Sequence, residues 1–107
     1  MTKTTVATIA VILMATPTLA ADCGGVGQIA EKIMMARQQE KPMSAQVQFF
    51  NELADISEAS RGALLTYVVR AYEQPSYQTP ENQQRAAAEF RNEIELECYR
   101  FQAEAAR

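Results

Sequence analysis

Residues 79–105 read TPENQQRAAAEFRNEIELECYRFQAEA. Thr79 is suited to cap a helix, Pro80 to its first turn, where no intrahelical N–H is needed, and Glu81 to the positive end of its dipole. Downstream, Ala87, Phe90, Ile94, Cys98, Phe101 and Ala105 recur every three or four residues. That spacing lines up one apolar stripe on a helix running to about Ala105. Cys98 lies on the stripe, so its thiol is expected to face a core.

Working back from this helix, PSYQTP (75–80) is the clearest loop in the chain. Before it, Leu64, Leu65, Val68, Ala71 and Tyr72 mark a helix ending near Glu73. Ser57, Ser60 and Gly62 place a break upstream of that helix. A shorter helix is expected from Ala45 to about Asp55, capped by Ser44 and burying Val47, Phe50, Leu53 and Ala54. The first runs from about Val26 to Gln39, with Ile29, Ala30, Ile33 and Met34 on one face. Gly24, Gly25 and Gly27 loosen its start, and Pro42 ends it by disfavouring helix in the residue before. No strand-like alternation or hairpin signal interrupts the pattern. The expected fold is all-α: a small four-helix up-down bundle.

The bundle predicts a disulfide. Cys23 and Cys98 are the two cysteines of the chain. In an up-down-up-down bundle the start of the first helix and the end of the fourth lie at the same end. With the middle helices fused into one rod, the thiols would fall at opposite ends, beyond the roughly 4.4–6.8 Å Cα separation a disulfide spans. The bond would close a loop of about 75 residues (98 minus 23), worth roughly 4 kcal/mol by chain entropy.

Oxidation requires an oxidising compartment, and the N-terminus supplies the expected route. Lys3, the apolar run Val6 to Ala15, Pro17 and Thr18-Leu19-Ala20 form a Sec-type signal peptide over residues 1–20, cleaved after Ala20. The run is too short to span a bilayer, which takes about 20 residues. Asp22 before Cys23 does not fit a lipidation site. The expectation is a single helical domain over 21–107, periplasmic or secreted, with no stable membrane insertion after cleavage.

Histidine is absent, which excludes Ser-His and Cys-His nucleophile pairs and imidazole metal ligands. The formal net charge of −3, with basic residues dispersed, argues against nucleic-acid binding. A carboxylate mechanism needs a cleft that so short a chain hardly encloses. The expectation is a non-enzyme without cofactor or metal. Three features are candidate partner surfaces. Glu89, Glu93 and Glu97 recur at i, i+4 and i+8, as a surface for a basic protein, as a solvated face balanced by Arg85 and Arg100, or as a calcium site, which would need roughly six or more oxygens. Met34 and Met35 are either adaptable contact residues or core filler. Of the adjacent Phe49 and Phe50, one ring must leave the core stripe, and Phe49 is taken as the contact residue.

Ala30, Ile33, Met34, Ala36, Arg37 and Gln38 form an A-x-x-I-M-x-A-R-Q pattern. Ala71-Tyr72, Pro75, Glu81, Gln83, Arg85, Glu89-Phe90, Leu96 and Cys98 form AY-x-x-P, E-x-Q-x-R, EF and L-x-C elements. On these elements the chain resembles a group of small exported helical proteins of bacteria and their phages; Val47 to Arg61 matches weakly. The resemblance implies a helical scaffold with the same cysteine pair, with Phe90 and Leu96 as architectural positions, and it implies no chemistry. The expected function is binding of a protein partner, as an inhibitor, immunity or exclusion factor, or accessory subunit. The alternative is a periplasmic acid-stress chaperone, which the chain resembles in size, helicity and single disulfide but not in motifs.

Overall fold

The computed structural model describes residues 22–107; the expected signal peptide and its cleavage site lie outside them. Asp22 opens α1 (Cys23–Gln38) by accepting the Gly25 N–H at 2.9 Å. The three early glycines are therefore helical, not a frayed lead-in. α2 spans Met43–Glu52. Pro42, not Ser44, occupies its N-cap: the ring fixes φ at −61° and the Pro42 carbonyl accepts the Ala45 N–H at 3.1 Å. α3 (Glu58–Tyr72) starts at Ser57, which accepts the Ser60 N–H, and carries Gly62 inside it. α4 (Pro80–Ala105) is capped by Thr79, as its sequence requires. The described residues contain no strand.

The helices alternate in direction, giving the expected up-down bundle. At one end the C-terminal residues of α1 hold the loop after α3. Gln38, only 2 % exposed, donates to the Pro75 carbonyl (2.9 Å) and accepts the Tyr77 N–H (2.7 Å). Arg37 donates to the Gln74 carbonyl and covers the Tyr72 ring. At the other end the Cys23–Cys98 disulfide joins the start of α1 to the late part of α4, with Cα atoms 5.5 Å apart. α1 packs against α4 and α3, and α2 packs on α3. Val26, Ala30, Ile33 and Met34 of α1 meet Phe50, Leu64, Val68, Ala71, Ala87, Phe90 and Ile94 in one core.

Gly27 sets how closely α1 and α4 approach. A Cβ at this buried position would run into the Glu95 side chain, which lies across the glycine and is held there by Arg91 Nε at 3.0 Å. Glycine is tolerated inside the helix because this approach needs it. The apolar stripe of α4 is shorter than its periodicity predicts. It is buried through Ile94, but Phe101 is 66 % exposed at the rim of a hollow that it lines with Val26 of α1 and Ala59, Ser60 and Ala63 of α3. Leu96, expected to be architectural, is also exposed, on the outer face of α4.

Candidate partner-binding groove

α2 owes its position to side chains at both ends. Gln46 Nε2, near its start, donates to the Ile33 carbonyl (3.3 Å) and to the Tyr72 hydroxyl (3.0 Å), while that hydroxyl donates to the Lys41 carbonyl. At its C-terminus the Arg61 guanidinium of α3 donates to the carbonyls of Phe50, Asn51 and Leu53. Held this way against α3, α2 leaves an open groove of about 580 Å³ between itself and α1. Ile33, Phe50 and Leu64, all buried, belong to the core beneath it. Ile29 and Ala36 line the α1 side, with Phe49, Leu53 and Ile56 opposite. Phe49 is 60 % exposed and meets Phe50 edge to face, with ring centroids 5.2 Å apart. Of the adjacent phenylalanines, one anchors α2 and the other faces solvent beside the groove.

Lys32 and Lys41 also line this groove. They are the only lysines among the described residues, and neither joins an ion pair there. Lys41 is placed by the end of α1. Glu40 takes a left-handed φ of 59°, and the Glu40 and Lys41 N–H groups bond back to the carbonyls of Arg37 and Ala36. That pattern is a Schellman turn built on a non-glycine residue.

The other predicted surfaces are less available. Met34 is a correction: it is 2 % exposed, in the core and contacted by the Gln38 amide, so it is closed to a partner. Met35 is half-buried and lines a shallower hollow with Lys32 and Lys41. Glu93 and Glu97 are both engaged by Arg70 of α3, at 2.7 and 2.8 Å. The acidic row is thus balanced from a neighbouring helix, not by Arg85 and Arg100 along its own; Glu89 is exposed beyond it. Arg91 joins Glu31 of α1 to Glu95 of α4 in the same way. Hydrogen bonding, to Glu97 foremost at Arg70 and to Glu95 foremost at Arg91, raises both guanidinium pKa values, so these bridges stay charged on the arginine side.

Burial, reinforced by Glu97 and opposed by Arg70, pushes the Tyr67 phenol above its ordinary 10.0. The folded state thus holds this proton more tightly than the unfolded chain does. The associated stability is full below pH 10.0 and is lost as pH rises through the folded value. Urea midpoints should therefore drop as pH rises above 10.0, and Tyr67→Phe should flatten that drop. An equal drop in both proteins would show that other groups govern alkaline unfolding.

Among the described residues no three His, Cys, Asp or Glu side chains converge as a metal site, and no helix is long and apolar enough to cross a membrane. No known protein family, curated protein or solved structure matches the chain. Sequence reasoning singled out Phe49 but missed Leu53 and Ile56 as groove residues, and missed both lysines. The one available signal was that Lys32 and Lys41 sit nine residues apart in a chain with no lysine after them.

Proposed function

We propose that the chain is a non-enzymatic exported protein that binds a protein partner, and that the α1–α2 groove is where it does so. The observation that carries this is the exposed Phe49 ring beside an apolar trough of about 580 Å³. An aromatic anchor beside a desolvated pocket is the usual composition of a binding hot spot, and burying such a ring on association contributes about 1.5–3 kcal/mol. The staple and the ion pairs across α1, α3 and α4 support a rigid platform for it. An acid-stress chaperone would use the same apolar surface for many unfolded clients; two lysines along the trough, unpaired among the described residues, favour a partner of defined charge.

A photo-crosslinking residue at Ala45, exposed at the groove, should give a discrete adduct in exporting cells, and one at Arg100, on α4, should not. Phe49→Asp should abolish the Ala45 adduct. No adduct at position 45, or one that persists in Phe49→Asp, removes the groove as the binding surface.

A further inference from the structure

The described residues carry more acidic than basic side chains; four of their seven arginines are occupied, and the other three, Arg85, Arg100 and Arg107, do not line the groove. Arg61 is spent on carbonyls and Glu58, Arg70 on Glu93 and Glu97, Arg91 on Glu31 and Glu95, and Arg37 on Gln74 and Tyr72. Lys32 and Lys41, by contrast, have no carboxylate partner among the described residues, and both line the apolar groove. Unpaired cations along an apolar trough are complementary to a ligand with an apolar face and an acidic flank.

The shape of the site narrows the ligand further. The groove is walled by two helices, and the described residues offer no strand edge on which an extended segment could pair. An extended peptide would bury backbone N–H and C=O groups without partners, at a cost comparable to a lost hydrogen bond for each. A helix satisfies those groups internally and presents side chains at i, i+3, i+4 and i+7. The two lysines come from different turns of the α1 region, one within the helix and one beyond its Schellman turn. Both lysines line the trough, and a helix flank carrying several carboxylates can meet both while its apolar face fills the trough.

We infer that the occupant of the α1–α2 groove is an amphipathic helix of a partner protein, with its apolar face on Phe49 and Leu53 and its acidic flank on Lys32 and Lys41. This rests on the groove being the partner site. The lysines supply orientation and on-rate, and the apolar wall supplies most of the affinity.

The test uses the oxidised full mature chain and three synthetic helical peptides with one Leu/Phe apolar face and Glu, Gln or Lys along the flank. Fluorescence anisotropy should find the Glu peptide about tenfold tighter than the Gln peptide, with the Lys peptide weakest. The difference should shrink in 0.5 M salt, where the Debye length falls to a few Å. It should also shrink in Lys32→Gln/Lys41→Gln, whose exposed positions leave the fold unchanged by circular dichroism. Equal affinities that are all lost in Phe49→Asp would overturn the acidic-helix inference and leave the groove in place. Absence of peptide binding, or binding indifferent to Phe49→Asp, would overturn both. Dodecanoate binding that depends on the lysines, with no peptide bound, would replace the helix by an acyl chain.

Discussion

Replacing both Cys23 and Cys98 by alanine should lower the unfolding free energy by about 4 kcal/mol, the largest loss expected from any change that leaves the core side chains in place. The bond closes a loop with a sequence separation of 75, so its chief effect is to restrict the unfolded chain. A domain of this size has a total stability of about 5–15 kcal/mol. The double variant should therefore unfold in a fraction of the urea that the oxidised protein withstands. Reduction of the native protein should reproduce the same midpoint. The urea slope should rise slightly, because an untied unfolded chain exposes more surface. A loss below about 1 kcal/mol would mean that the reduced unfolded chain keeps its two ends together without the bond.

The first place to open in that variant is the start of α1. It holds three glycines among its first five residues, each less favourable in a helix interior than alanine by up to about 1 kcal/mol. One Asp22 bond caps this turn and the disulfide ties it to α4, while Arg91 of α4 reaches Glu31 of α1 further along. Oxidation of the two thiols would thus complete the fold at this end.

How legible each part was in the sequence depended on how local its cause is. The start of α4 was readable because Thr79, Pro80 and Glu81 act within one turn. The disulfide followed from having two cysteines in a chain read as exported, and the helix count agreed with it, a topological constraint that needs no coordinates. The start of α1 was misjudged because glycine propensity is local, whereas the reason for Gly27 is the Glu95 side chain across the bundle. The α4 stripe was overextended because periodicity reports which residues could face a core and not how tightly the neighbouring helices close over them; Phe101 is left exposed at the rim of a hollow against α3. The groove was least legible. Phe49 could be singled out by exclusion, but the trough exists because α2 leans on α3, and that lean is set by Arg61, Gln46 and Tyr72, whose partners lie 8 to 31 residues away.

Arg61→Ala should melt α2 locally and dismantle the α1–α2 groove, while α1 and α4 stay folded. α2 has 10 residues, no side-chain hydrogen bond at its N-cap and no basic residue in its last turn. An isolated helix of that length is marginal in water. Its last carbonyls instead receive the Arg61 fork: Nη1 to Phe50 and Asn51, Nη2 to Leu53 at 3.0 Å. The side chain is 18 % exposed, so these bonds are partly sheltered from water, whereas its contact with the fully solvated Glu58 at 3.6 Å adds little. Hydrogen bonds to a charged donor are worth about 1.5–3 kcal/mol each but are not additive when they share one group, so about 2–3 kcal/mol for the set is expected. Hydrogen exchange of the disulfide-intact protein should then show α2 amides losing protection by about 30- to 150-fold. Amides of Met34 and Ile94, in the middle of the stapled pair, should keep theirs. Arg61→Lys should recover less than half of the loss, since an ammonium cannot span three carbonyls as a planar fork does. Equal loss of protection in all four helices would mean that α2 is no separate unit and that Arg61 holds the whole bundle. Unchanged protection in α2 would mean that Phe50 alone, packed on the core, keeps the helix in place.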